Sequence, residues 1–126
     1  MTMKTTSYSS VFGVLLSSLR TENRIEQSEM ATRMGLTQAS YSRLENGKSG
    51  FSLDQVFQAG TALGLSDNYI TERLNNMVAK LRKSGCEVVP QVRAKSKQTG
   101  QEENGNMGSF LAGAALTALL IGLMSG

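Results

Sequence analysis

Apolar residues recur at helical spacing five times between positions 8 and 84, and short polar or glycine-containing breaks separate the five runs. Phe12, Leu15, Leu16 and Leu19 supply the core stripe of a first helix that runs to about Thr21, with Ser9 or Ser10 as its cap. Residues 1–7 before it are polar and are expected to fray. Met30, Ala31 and Met34 mark a second helix from about Gln27 to Met34, which Gly35 stops in a left-handed turn. Thr37 caps a third helix from about Gln38 to Glu45, with Leu36, Tyr41 and Leu44 turned inward and Asn46-Gly47 at its end. After the loop Lys48-Ser49-Gly50, Ser52 opens a fourth helix with Gln55 as its capping-box partner. Leu53, Val56, Phe57 and Leu63 are its expected inward residues, and Gly60 suggests a close helix contact. Ser66 caps a fifth helix whose stripe is Tyr69, Ile70, Leu74, Met77 and Leu81.

That stripe continues to about Ser84, so Leu74, Met77, Val78 and Leu81 are candidates for a contact between two copies. Gly85 ends the helix. The β-branched segment around Val88, Val89 and Val92 reads as extended, and Pro90 confines any strand to an edge. The reading divides the chain into a helical domain at 8–84, a linker at 85–106 and a hydrophobic helix at 107–125. Positions 93–106 are rich in Lys, Gln, Glu, Gly, Asn and Ser, which suits a flexible connection. The run that begins at Phe110 and ends at Met124 is nearly all apolar and carries no charge. Two roles fit it: insertion in a membrane, or self-assembly in water. As a helix its strongly apolar part is about 22–25 Å long, short of a hydrocarbon core of about 30 Å.

The second and third helices, joined by a tight turn, carry the chemistry. The outer side of the third shows Gln38, Ala39, Ser42 and Arg43: a neutral amide, a methyl, a hydroxyl and a forked cation, the groups that read base edges in a DNA major groove. Gln27, Ala31, Gly35, Thr37, Gln38, Ser40, Leu44, Glu45, Asn46 and Gly47 stand at the spacing of a known motif. In these residues the stretch from about 8 to 75 resembles the Cro and lambda-repressor-like (xenobiotic-response-element type) helix-turn-helix family of DNA-binding proteins. The resemblance implies an all-α, five-helix lambda-repressor-like domain, followed here by the linker and the C-terminal hydrophobic helix. It implies double-stranded DNA as partner, bound by a homodimer on operator half-sites. Gln38, Ala39 and Arg43 would face base edges, with Ser40 and Ser42 nearby and Thr37 at the helix start. Gln27, Asn46 and Lys48 would hold phosphates. Arg20 and Glu45 would form a structural ion pair between the first and third helices. Glu26 departs from the pattern, because the family prefers Ser, Thr or Asn there and a carboxylate repels phosphate.

Charge modifies this picture only slightly. The net charge is +3, and between residues 8 and 66 five cations meet five anions. Affinity for DNA would therefore rest on local placement of charge. The chain has no His and one Cys, Cys86, which excludes metal sites and hydrolytic triads built on those residues and suits a reducing cytoplasm. The reading is of a repressor-type transcriptional regulator without a cofactor and not an enzyme. It would lie in the cytoplasm or be tail-anchored in the inner membrane. The alternative is an antitoxin-like partner or membrane-complex adaptor that keeps the fold without specific DNA binding.

Overall fold

The computed structural model describes residues 4–90 and 110–125. A short strand β1 (Thr5–Ser7) leads into helices α1 (Tyr8–Glu22), α2 (Gln27–Arg33), α3 (Gln38–Glu45), α4 (Leu53–Leu63) and α5 (Asp67–Lys83). Strand β2 (Glu87–Val89) and helix α6 (Gly113–Ser125) follow. The fold is thus mostly helical, not all-α. β1 and β2 pair in parallel, with Thr6 opposite Val88. Thr5 also bridges to Phe110. Pairing holds Ser7 extended, so its side chain caps α1 by accepting from the Ser10 backbone N–H at 3.0 Å. The cap is therefore neither Ser9 nor Ser10, and residues 5–7 are not frayed. The Ser9 hydroxyl instead accepts from the Phe51 N–H at 2.8 Å, tying α1 to the loop before α4.

The core is centred on α1, whose Val11, Phe12, Leu15 and Leu16 are essentially inaccessible. Phe12 meets Phe51 edge to face, ring centres 4.9 Å apart. Ser52 and Gln55 form the capping box at the start of α4. Gly60 is buried there, and a Cβ on it would lie 3.3 Å from Ile70. Two inward assignments are corrected. Leu53 is the first residue of α4 and is 72% exposed. Tyr69 is exposed as well and stacks with Arg73, whose Nη1 donates to its hydroxyl at 2.6 Å.

The largest correction concerns the C-terminal segment. Residues 110–112 do not continue the helix; they run beside β1. Leu111 N–H donates to the Thr5 carbonyl at 2.7 Å, and the Thr6 hydroxyl donates to the Leu111 carbonyl at 2.7 Å. The helix starts only at Gly113, so its 13 residues rise about 20 Å. Leu116 and Leu120 are buried against the body of the domain, and α6 packs on α1 and α5. Among the described residues no helix is long and apolar enough to cross a membrane. Positions 91–106 of the expected linker and 107–109 of the expected hydrophobic helix lie outside the described residues.

The same packing covers three of the four residues of the expected contact face on α5, and Leu74 is half-buried. Met77, Val78 and Leu81 are buried within one chain, because β2 and α6 cover α5. Arg82 closes this end of the molecule, donating to the Tyr8 hydroxyl at 2.7 Å and to the Val88 carbonyl at 2.9 Å.

Candidate nucleic-acid interface

The turn between α2 and α3 is built by backbone hydrogen bonds that need one left-handed residue. Gly35 supplies it at φ +73°. Its N–H donates to the Thr32 carbonyl at 3.0 Å, and the Leu36 N–H reaches the Ala31 carbonyl at 2.8 Å. These two bonds satisfy the last carbonyls of α2 and turn the chain sharply. Thr37 then caps α3, its hydroxyl accepting from the Ser40 N–H at 3.1 Å. α3 is short, so its orientation depends on what grips its inner side.

That grip is a polar cluster around Glu45. Arg20 on α1 donates from Nε to Glu45 Oε2 at 2.8 Å and from Nη2 to Oε1 at 3.0 Å. Tyr41 donates its hydroxyl to Oε2 at 2.7 Å, and Gln27 donates Nε2 to Oε1 at 2.8 Å. Arg20 Nη1 reaches the Ile25 carbonyl at 2.9 Å. The Glu45 side chain is 5% exposed, so four donors compensate a carboxylate taken out of water. The carboxylate holds the Arg20 guanidinium above its ordinary pKa. Burial first, and then the hydrogen bond to Glu45, push the Tyr41 phenol well above its usual range.

A pH dependence follows. The fold favours neutral Tyr41, whereas the unfolded chain ionises it near pH 10. The stability from this shift is complete below that pH and is lost as pH rises above it, by up to about 1.4 kcal/mol per pH unit. In urea titrations at rising pH, Tyr41→Phe should remove this alkaline loss while lowering stability at neutral pH. Equal alkaline slopes in both proteins would refute the assignment.

With its inner side held, α3 turns Gln38, Ala39 and Arg43 to solvent, and Ser40 and Ser42 are half-buried at its edges. Lys48 is exposed in the following loop, where its N–H and that of Ser49 donate to the Arg43 carbonyl at 2.8 and 3.3 Å. A groove of about 650 Å3 runs beside α3, lined in part by Ser40, Arg43, Ser49, Ser52 and Gln55. Two candidate residues are engaged internally. Gln27 has one amide donor on Glu45. Asn46 directs Nδ2 to the Ser42 carbonyl at 3.0 Å and the Ser42 hydroxyl at 3.3 Å, so Oδ1, an acceptor, is its less engaged atom. Glu26 stands at the start of α2, exposed and making no side-chain cap.

Sequence reasoning missed two ties that hold this unit. Arg33 pairs with Glu29 at 2.7 Å and donates to the Ala62 carbonyl at 2.8 Å, fastening α2 to α4. The i, i+4 spacing of Glu29 and Arg33 was a legible signal for the first bond only. The second tie is Gly13, where α1 and α3 touch backbone to backbone; nothing local in the sequence marks it.

Residues 11–72 match the family described as helix-turn-helix domain. This part of the chain belongs to the helix-turn-helix family. No curated protein matches the chain. Among solved structures, a mutant of the restriction-modification controller protein C.Esp1396I is similar with a TM-score of 0.52 at 20% identity, covering 55% of this chain and 92% of its own. The clp gene regulator ClgR from C. glutamicum gives 0.51 at 22% identity, covering 55% of this chain and 90% of its own. Another mutant of C.Esp1396I, bound to its highest affinity operator site, gives 0.52 at 19% identity over 55% and 91%. At these identities the likeness is one of fold.

Proposed function

We propose that this helix-turn-helix protein is a transcriptional regulator of repressor type that binds double-stranded DNA sequence-specifically in the cytoplasm, as a pair of copies on operator half-sites. The observation that carries the reading is the outward face of α3, where Gln38, Ala39 and Arg43 are exposed while Glu45 anchors the opposite side. α3 lies in the major groove and α2 crosses above it. Gln38 pairs with adenine, Arg43 with guanine, and Ala39 meets a thymine methyl, with Ser40 and Ser42 beside them. Thr37, Lys48, the α2 backbone amides and the remaining capacity of Gln27 and Asn46 meet phosphates. The likeness to a controller protein seen on its operator supports this reading. On this reading the chain acts by binding DNA.

Arg43→Ala should cost roughly 1–3 kcal/mol on the preferred site and relax preference at one base pair. Lys48→Ala should weaken all sequences alike and reduce the salt dependence. Selection from random DNA followed by titration at fixed salt tests both. Absence of any sequence preference, together with an Arg43→Ala variant that binds as wild type, would refute the proposal. A second reading, a protein-interaction module without specific DNA binding, draws on the exposed carboxylate of Glu26 and the balanced charge of residues 8–66. That failed selection is the result it expects.

A further inference from the structure

The Glu45 cluster grips α3 up to its last residue. The turn that follows, Asn46-Gly47-Lys48, carries Asn46 and Lys48 toward the proposed phosphates and is held in another way. Its own bonds run from the Gly47 N–H to the Leu44 carbonyl at 3.2 Å and from the Lys48 N–H to that of Arg43 at 2.8 Å. Gly47 is also enclosed from two sides. A Cβ there would lie 2.8 Å from Ser10 Oγ on α1 and 2.9 Å from the Cβ of Ala112. A Cβ on Gly113 would touch the Asn46 carbonyl oxygen at 3.4 Å. The C-terminal segment thus crosses the end of α3 just as it enters α6. Beside the crossing is a recess of about 400 Å3, lined in part by Glu45 and Asn46 and by Gly113 and Thr117.

Both residues that close on Gly47 are positioned by β1. Leu111, next to Ala112, is bonded through its N–H to Thr5 and through its carbonyl to Thr6. Ser10 accepts at Oγ from the Ser7 hydroxyl at 3.0 Å. We propose that residues 110–125 are an internal strap that sets the Asn46–Lys48 turn, and with it the phosphate contacts beside α3. The consequence for DNA rests on the reading given above. Burying Leu116 and Leu120 requires only that α6 lie on the domain; it does not require the preceding residues to cross the end of α3. Phosphate contacts fix register and affinity, whereas base contacts carry sequence. A loosened turn therefore weakens binding without changing which bases Gln38 and Arg43 read.

Amide hydrogen exchange of the full chain, followed by NMR, tests the strap without DNA. Leu116→Asp places a charge in the buried face of α6 and should release the segment. Ala112→Gly removes only the methyl group against Gly47. The Gly47 and Lys48 amides should exchange faster in both, on the order of tenfold in Leu116→Asp. The Gly35 and Leu36 amides, in the turn before α3, should change far less, which a general loss of stability would not produce. Ala115→Gln, on the exposed face of α6, should alter neither turn. Equal acceleration of the two turns, acceleration of neither, or a response to Ala115→Gln overturns the strap. In DNA titrations over a salt series, Leu116→Asp should bind more weakly, with the wild-type sequence preference and a salt slope shallower by about one per copy. An unchanged slope or a changed preference overturns the role in phosphate contact. Selective exchange in a chain whose wild type shows no DNA preference supports the strap and counts against DNA recognition alone.

Discussion

Glu45→Ala should destabilise the domain by about 3–5 kcal/mol, the cost of leaving a buried cation without its partner. The substitution deletes the acceptor for four hydrogen bonds, from Arg20 Nε and Nη2, Tyr41 and Gln27. Arg20 is held at 14% side-chain exposure and would retain only the Ile25 carbonyl among the partners described above. For a domain whose total stability is about 5–15 kcal/mol, that is a large fraction. The burial of the pair does not by itself make it a net source of stability, because both charges were removed from water to form it. Replacing Arg20 and Glu45 together by methionine should therefore cost less than Glu45→Ala. Urea unfolding of the single and double variants gives the coupling. Additive losses would show that the two side chains do not depend on one another. The same variants test function, since α3 without its anchor should present Gln38 and Arg43 less firmly and lose DNA affinity even where it stays folded.

The parts of the fold that were legible in the chain are those fixed by local chemistry. Thr37, Ser52 and Ser66 cap helices because their hydroxyls accept from the backbone three residues on. Gly35 turns the chain because only a left-handed residue completes that pair of hydrogen bonds. The exposed set Gln38, Ala39 and Arg43 follows from the helical period once Tyr41 and Leu44 are inside. What was not legible depends on distant partners. Thr5 and Thr6 look like a polar leader until β2, some eighty residues later, pairs with them. Leu53 and Tyr69 satisfy a helical stripe, yet each lies at a helix start that the core does not reach. The C-terminal run was the hardest case. An apolar helix with no polar face has no preferred side, so its period cannot distinguish lipid, another copy or the protein's own surface. The contacts of Leu111 with β1 decide the matter for the inner face, and those are not encoded in the run itself.

Gly13→Ala should destabilise the domain by about 2 kcal/mol, although alanine favours a helix over glycine by about 1 kcal/mol. Gly13 lies within α1, where it is buried. A Cβ there would stand 2.5 Å from the Glu45 carbonyl oxygen and 2.9 Å from that of Leu44. Both obstacles are backbone atoms of the last turn of α3, so no side-chain rotation relieves them. Overpacking of this kind costs typically 1–3 kcal/mol and occasionally more. The upper part of that range applies here, because separating α1 from α3 also stretches the bonds from Arg20 to Glu45, set at 2.8 and 3.0 Å. The steric cost therefore exceeds the gain in helix propensity. Gly122→Ala supplies the contrast: it is the same chemical change on a helix face where a Cβ meets nothing within 4 Å. At concentrations low enough to keep the chain monomeric it should raise stability by about 0.4–1 kcal/mol. Chemical denaturation of the two variants should thus move the midpoint in opposite directions. A Gly13→Ala protein as stable as wild type would mean that α1 and α3 do not approach this closely, and the anchoring of the α3 surface would need another explanation.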